Sequence, residues 1–207
     1  MFDSKRILDQ LVSSGFAGGM AGGAAGAALV SALSGKKAKK YAGTALKAGG
    51  LALIGGVAYK AWQGYRQQQA DTQQAPPGAF VPSAEPDQDA LSLLLLKAMI
   101  AAARADGNID AQEHQAIMQR IGEMDLADAD KAQLFEHFSA PPDVHQLALQ
   151  AHSDEHAAEV YAASAMLLAA PSPAEQQYLD RLSAALRLDP ALRQEIHRTL
   201  EAQSVAA

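Results

Sequence analysis

The sequence predicts an all-α protein in which a glycine-rich N-terminal membrane hairpin precedes a seven-helix domain. The composition is the first observation, because 49% of the residues are hydrophobic but only 5% are aromatic. Ala, Gly and Leu supply most of this apolar content, which favours close-packed helices over sheets. The second observation is the helical spacing of apolar residues after residue 89. The third is the pair of glycine-rich apolar segments within residues 15–65, which suits a membrane.

Composition and charge exclude several classes of site and partner. The chain has 0 cysteines, which excludes disulfides, thiolate metal sites and cysteine nucleophiles. The formal net charge is -6, but most lysines lie in residues 1–66 and the rest of the chain is acidic. The acidic part is a poor match for nucleic-acid phosphates. The basic part lies beside apolar segments, so we expect membrane lipid, and no nucleic acid, as a partner.

The N-terminal part divides into a short helix, residues 1–14, and the first apolar segment, residues 15–33. Ile7, Leu8, Leu11 and Val12 fall on one face of the short helix, which suits a membrane interface. Six glycines of the apolar segment recur every four residues in two registers: Gly15, Gly19, Gly23 and Gly18, Gly22, Gly26. In an apolar helix this spacing makes a smooth groove where another helix approaches closely, within one chain or in a homo-oligomer.

A flexible linker and a signal peptide are the alternatives for residues 15–33. Linkers carry Ser and other polar residues, whereas this segment contains Phe, Met, Leu and Val. A signal peptide has a leucine-rich centre and lacks acids such as Asp3 and Asp9 near its start. The segment is therefore predicted to be a membrane-inserted glycine-zipper helix.

A second apolar segment, residues 41–65, predicts a second membrane span. Tyr41 and Trp62 would lie about 30 Å apart on a helix, which matches the hydrocarbon thickness. Together with Tyr65, these aromatic residues suit the two membrane interfaces. The alternatives are a single span and a soluble amphipathic helix, which the glycines at 49, 50, 55 and 56 would destabilise in water. The basic residues on the two sides of the predicted spans are nearly equal in number, so they do not determine the orientation of the protein in the membrane.

Residues 66–88 are rich in Gln and Pro and have almost no apolar period, which predicts a linker. Residues 89–204 form the predicted helical domain. The first helix is apolar nearly all round and should be central, and Ser153, Ser172 with Glu175, and Asp189 supply start signals for later helices. The seven predicted helices are 90–105, 111–124, 129–138, 144–151, a helix from Ser153 to about 169, one opened at 172–175 and one opened at 189–190.

The helical domain contains an internal near-repeat. Residues 110–113 and 172–175 each follow an apolar helix, and apolar residues fall at similar offsets after both. This predicts two helical hairpins packed with pseudo-symmetry. The copies differ before the cap, since Asp-Gly-Asn at 106–108 of the first corresponds to Leu-Ala-Ala at 168–170 of the second.

Four oxygen-bearing side chains crowd the turn after the first predicted helix: Asp106, Asn108, Asp110 and Glu113. They suit a hard divalent cation such as Ca²⁺. The turn is not an EF-hand loop, because position six would be Ala111 instead of Gly and position twelve Ile117 instead of Glu. Helix capping by Asp110 and Glu113 explains two of the acids without any ion. Both interpretations stay open here, and they can coexist.

Three motifs carry a family resemblance: ADGNIDAQE at 105–113, AEVYAAS at 158–164 and EQQYL at 175–179. Together they resemble a TerB-like tellurite-resistance domain. With its glycine-rich N-terminal half, the chain is similar to the YebE-like family of bacterial inner-membrane proteins, whose function is unknown. The resemblance implies an inner-membrane location and a link to envelope or tellurite-type stress. It also implies a metal site made of acids from both halves, and here only Asp106, Asp110 and Glu113 match.

The remaining candidate residues give weaker signals. His152 and His156 have the spacing of two zinc ligands on one face of a helix. Ser153 is predicted to cap this helix, which leaves His152 outside it, so the two side chains do not share a face and a surface position is favoured. Glu159 lies in an Ala-rich helix and is either an inward acid paired with an Arg or an exposed one. The sequence shows no convergent catalytic set. The predicted function is a membrane-anchored, non-enzymatic protein-interaction module, with a divalent-metal-binding domain as the alternative.

Overall fold

A computed structural model of the chain describes residues 4–11, 50–68, 80, 85–105, 115, 128–140, 143–168 and 171–205. Across these residues the protein is all-α, which confirms the predicted class, and no strand occurs among them. Eight helices follow in chain order: α1 Ser4–Leu11, α2 Gly50–Gln68, α3 Glu85–Ala103, α4 Asp128–Ser139, α5 Val144–Gln150, α6 Asp154–Leu167, α7 Pro173–Ala185 and α8 Pro190–Val205.

Local capping signals place the helix starts in the C-terminal half. Ser153 accepts a hydrogen bond from the His156 amide at 3.1 Å and starts α6, as predicted. Ser172 and Glu175 form the predicted capping box of α7, with both reciprocal hydrogen bonds present. Asp143 and Gln146 form a further capping box at α5. Each cap satisfies amide groups that a helix start leaves without partners. Of the helix predicted at 111–124, the structure describes Gln115 alone, and that residue is helical.

Helices α3 and α6 form the centre of the molecule. Residues 157–167 of α6 are all buried, and α3 is buried along most of its length, as its apolar sequence predicts. Alanines on both helices allow their axes to approach closely. Two buried hydroxyl groups at the contact are satisfied, since Ser164 Oγ and the Tyr178 hydroxyl each donate to the Ala98 carbonyl at 3.3 Å. Burial raises the pKa of Tyr178 to about 12, so its hydroxyl keeps the donated proton.

Helix α2 packs against α8 and α6 as part of the same helical body. Trp62, predicted at a lipid interface, is 6% exposed and makes an edge-to-face contact with Phe80 at a centroid distance of 5.9 Å. Phe80 lies in the predicted 66–88 linker yet is 1% exposed. Tyr65, the other described member of the predicted interfacial set, donates to Asp189 at the start of α8. The aromatic residues described in α2 therefore contact protein.

A glycine of α2 allows the close approach of α8. A Cβ atom built on Gly64 would lie 3.0 Å from Glu195 Oε2, so a larger residue there would require the Glu195 carboxylate to shift. Glu195 also accepts a hydrogen bond from Gln68 and pairs with Arg198. Among the helices that the structure describes, none is both long and apolar enough to cross a membrane.

The N-terminal helix α1 joins the same body. Ile7 and Leu8 are fully buried, and Ser4 Oγ donates to the Asp89 carbonyl at 2.6 Å. Asp9 Oδ1 accepts hydrogen bonds from the backbone amides of Gly50 at 2.6 Å and Leu51 at 3.5 Å, so it caps α2 from a distant part of the sequence. The apolar face predicted at 1–14 is thus used within the protein.

Candidate functional site

The predicted metal and glycine-zipper residues lie outside the described part of the chain. They are Asp106, Asn108, Asp110, Glu113, Gly15, Gly18, Gly19, Gly22, Gly23 and Gly26, together with the predicted interfacial Tyr41. Ala105, the residue before the acidic turn, is described and lies at the end of α3. Within the described ranges, no cluster of three or more His, Asp or Glu side chains could hold a metal ion. The metal site stays a prediction.

Glu159 is the most unusual titratable residue of the described core. It is 0% exposed, and neither carboxylate oxygen has a hydrogen-bond partner among the described residues. Burial, with a smaller contribution from the nearby charge of Glu155, raises the pKa of Glu159 to about 9. The side chain is therefore neutral at pH 7. Of the two sequence-based alternatives, the inward orientation is confirmed, although no arginine pairs with it in the described part.

The sequence on both sides of Glu159 indicates that this residue is buried. Apolar residues surround it on every side of the helix, since residues 157–163 contain only this one charged residue. A helix that is apolar all round is a buried helix. Ser92 on α3 and Trp62 on α2 also bury a polar atom that has no partner in the described ranges. Helix α6 packs against both α2 and α3, so these orphan polar groups all belong to one packed core.

A network of polar side chains joins α6, α7 and α8. The Tyr161 hydroxyl lies 2.9 Å from His197 Nε2, and the Arg193 guanidinium stacks over the Tyr161 ring and pairs with Asp180 at 2.5 Å. Burial, helped by the charge of Arg193, lowers the pKa of His197, so the imidazole is neutral and can accept a hydrogen bond from the Tyr161 hydroxyl. Tyr161 is 0% exposed, so a substrate has no access to the hydroxyl. The network therefore holds three helices together.

An open groove lies between the end of α3, the start of α5 and the exposed side of α7. Its volume is about 700 Å³. Small side chains line much of it: Ala101, Ala105, Ala184 and Ala185. Tyr178 and Val144 add apolar surface, and both are buried in the wall. The alanines leave space that a larger apolar side chain would fill.

The charges around this groove favour an acidic ligand. Arg181 is exposed and makes neither a hydrogen bond nor an ion pair with any described residue. Arg104 donates to the backbone carbonyls of Phe138 and Ser139, which fixes the guanidinium at the groove wall. Asp143 is occupied in capping α5, where it accepts from the His145 and Gln146 amides at 2.9 Å. The groove wall thus carries two guanidinium groups against one carboxylate.

A smaller cavity of about 380 Å³ lies on the other side of α5. Lys97, His137 and Gln150 line it together with Leu149, which is 79% exposed. Burial and the charge of Lys97 lower the pKa of His137. Short helix α5 therefore contributes to two concave surfaces, and its exposed leucine lines the smaller one. Sequence reasoning missed both surfaces, because their residues come from segments far apart in the chain.

Comparison with protein families matches residues 18–200 to a family described as a protein of unknown function, DUF533. The match covers most of the 207 residues. The chain belongs to the DUF533 family. Curated proteins give no match to the chain. Solved structures give none either. Membership of the DUF533 family assigns no chemical activity to the chain. The groove and the buried carboxyl group of Glu159 are therefore the features that bear on its function.

Proposed function

We propose that the protein is a non-enzymatic, membrane-attached helical module that binds a protein partner in the groove between α3, α5 and α7. The groove carries the proposal, because it combines an alanine-lined surface with an arginine that has no partner in the described structure. Concave surfaces of this size that combine apolar walls with convergent polar groups are typical binding sites. The buried hydroxyl of Tyr161 and the neutral Glu159 support a non-enzymatic role, since neither is accessible to a substrate.

The occupant that fits this groove best is an amphipathic helix with acidic residues along one edge. Small alanines on the groove surface leave room for the apolar side chains of such a helix. Carboxylates of the partner would pair with Arg181 and Arg104, since guanidinium groups form bidentate hydrogen bonds with carboxylates. Leu149 would extend the apolar contact beyond α5.

Charge reversal at Arg181 tests this groove directly. The probe is an alanine-rich helical peptide with glutamates on one edge, and its lysine counterpart is the control. We expect Arg181→Glu to weaken binding of the acidic peptide about tenfold, a loss of ~1.4 kcal/mol. Fluorescence anisotropy with the full chain gives the dissociation constants.

The matched control variant is Lys60→Glu, because Lys60 is an exposed residue of α2 and is not among the groove residues. It makes the same reversal of charge away from the groove, so affinity should stay within about twofold of the unchanged chain. Equal weakening by both variants, or no binding of the acidic peptide to the unchanged chain, would contradict the proposed groove.

Membrane attachment is the second part of the proposal. The glycine spacing of residues 15–33 and the lysines at 36–40 support it, and the resemblance to YebE-like proteins with a TerB-like domain supports a bacterial inner membrane and a stress role. A carbonate wash of membranes that contain the full chain tests attachment. We expect the protein to stay in the pellet, and release into the supernatant would reject an inserted segment.

Ion binding by the turn at 106–113 is a second candidate function. One observation favours it: Ala105, which immediately precedes Asp106, lines the groove. An ion in the turn would therefore act close to the binding surface. Calorimetric titration of the full chain with Ca²⁺ provides the test, with Asp106→Asn as the variant and Asp128→Asn as an exposed control. Saturable heat that only Asp106→Asn removes would support the ion site, and absence of heat would reject it.

A further inference from the structure

The smaller cavity beside α5 joins three helices that lie far apart in the sequence. Lys97 comes from α3, His137 from the end of α4, and Gln146, Leu149 and Gln150 from α5. Its volume of about 380 Å³ falls near the lower end of the range of small-molecule sites, ~300–1,000 Å³. The cavity therefore has the size for a small ligand.

Lys97 supplies a positive charge to the wall of this cavity. The residue is half-buried, and its Nζ atom donates to Gln150 Oε1 at 3.4 Å. Neither of the ion pairs between described residues includes Lys97, and no described residue of the cavity wall is acidic. Partial burial removes some of the water around the ammonium group, so an anion is attracted more strongly here than at an exposed lysine. The wall therefore favours an anionic ligand.

The amide groups of two α5 glutamines are held in place near the ammonium group. Gln150 Nε2 donates to the Gln146 carbonyl at 3.0 Å, which keeps the Gln150 Oε1 atom directed at Lys97. Gln146 Oε1 accepts from the Asp143 amide at 3.2 Å in the capping box, and no hydrogen bond between described residues uses its Nε2 group. A carboxylate has two oxygens, so one can accept from Lys97 and the other from Gln146 Nε2.

Apolar surface borders the polar part of the cavity. Leu149 is 79% exposed, and among the described residues it is the one large apolar side chain that is exposed. Ala140 adds a second apolar group to the same wall. A ligand whose hydrocarbon chain covers Leu149 removes apolar surface from water on both molecules, which favours binding. The charge and the apolar surface together match an amphipathic anion.

The charges around His137 select a ligand with one negative charge. Burial, followed by the charge of Lys97, lowers the pKa of His137, and the charge of Glu136 only partly opposes this shift. The imidazole is therefore neutral at pH 7, and the two glutamines of α5 carry no charge. Lys97 alone neutralises a carboxylate, whereas a phosphate group with two charges would keep one charge unpaired.

We propose that this cavity binds a small monocarboxylate with a short apolar chain, with the carboxylate at Lys97 and Gln146 and the chain along Leu149. Short fatty acids such as hexanoate have this chemistry. The proposal goes beyond the groove between α3, α5 and α7, because it concerns a second concave surface and requires no protein partner.

Nuclear magnetic resonance of the full chain with labelled histidine rings tests the site. The chain has 6 histidines, and His137→Gln assigns the signal of the ring that lines the cavity. We expect hexanoate to shift this signal saturably, with a dissociation constant of roughly 1 mM. The His197 signal should stay unchanged, because that ring contacts Tyr161 between α6 and α8. Absence of a saturable shift below about 10 mM hexanoate would overturn the proposal.

Two further probes check the charge and the size of the ligand. Hexylammonium has the same chain with the opposite charge, so it should leave the His137 signal unchanged. A peptide that ends in Leu with a free carboxylate carries the same charge on a larger body, and it should bind more weakly than hexanoate. Equal binding of hexylammonium, or tighter binding of the peptide, would overturn a small monocarboxylate as the ligand.

Substitutions of Lys97 test the position of the carboxylate. Lys97→Met removes the charge, keeps the apolar stem of the side chain and should weaken hexanoate binding at least about tenfold, whereas Lys97→Arg should stay within about threefold. Lys60→Met, at an exposed position of α2, is the matched control and should stay within about twofold. An unmoved His197 signal in the free variants shows that the fold is kept. Equal affinity of the Lys97→Met chain and the unchanged chain would refute the assigned position.

Chain length tests the contact with Leu149. In the unchanged chain, hexanoate should bind about fivefold more tightly than butyrate, because two more methylene groups leave water. Leu149→Ser should remove most of this difference and leave the affinity for butyrate within about twofold. A full difference between the two acids in the Leu149→Ser chain would show that the hydrocarbon chain lies elsewhere and would overturn this part of the proposal.

Discussion

A chain that begins at residue 69 is expected to lose cooperative unfolding, although it keeps the whole of the predicted 89–204 domain. The truncation removes α1 and α2, whose buried apolar side chains include Ile7, Leu8, Leu51, Ile54, Val57 and Trp62. Each contributes ~1.5–3 kcal/mol when fully buried. Their sum is comparable to the entire stability of a typical domain, ~5–15 kcal/mol. Faces of α3, α6 and α8 would be exposed to water.

Circular dichroism during heating, together with dye binding to exposed apolar surface, measures this effect. The matched control keeps α1 and α2 and replaces residues 12–49 by a short Gly-Ser connection, which the 2.6 Å contact between Asp9 and Gly50 allows. We expect a single sharp transition for the control and a broad or absent one for the truncated chain. A truncated chain with the same midpoint as the control would show that α2 contributes little to the core.

Replacing Glu159 by Leu is expected to stabilise the protein at neutral pH and to remove a loss of stability at alkaline pH. The pKa of this carboxyl group is about 9 in the folded protein and near its ordinary value of 4.5 after unfolding. Between these values the unfolded chain releases a proton that the folded chain retains. Stability therefore falls as pH rises from about 4.5 to about 9, by ~1.4 kcal/mol per pH unit. At pH 7 the contribution is about -3 kcal/mol.

Urea unfolding at pH 5, 7 and 9 measures this dependence. The Glu159→Leu chain should lack the Glu159 contribution, so its advantage over the unchanged chain should grow with pH. Glu159→Gln keeps the shape of the side chain without a titratable proton, and it separates the loss of charge from a change in packing. Glu201→Gln, at an exposed position of α8, is the surface control. Parallel pH curves for Glu159→Leu and the unchanged chain would contradict the raised pKa.

Helix starts were predictable from sequence because capping is local. Ser153, Ser172 and Glu175 each act on amides within three residues, and the structure confirms all three. The environment of α2 was not predictable in the same way. Apolar residues, glycines and flanking aromatics suit a lipid interior and a protein interior equally, because both exclude water. Packing against α8 brings together residues more than a hundred positions apart, such as Tyr65 and Asp189.

Single residues outside a repeating pattern were also missed. Phe80 lies among Gln and Pro residues, where no period predicts burial, and its contact with Trp62 places it in the core. The groove could not be predicted, since Arg104, His145 and Arg181 come from three separate helical regions. The burial of Glu159 could be predicted from the apolar residues around it. The absence of an Arg partner among the described residues could not, because it depends on how the helices pack.

The contact between α2 and α8 sets the order of events during synthesis. Gln68 donates to Glu195, a residue 127 positions later in the chain. Ribosomes make the N-terminal part first, so the apolar face of α2 stays without its final partner until nearly the whole chain has been translated. Closing such a long interval slows folding, because contacts between distant residues form late. Until α8 arrives, the face of α2 that packs against it stays exposed to water.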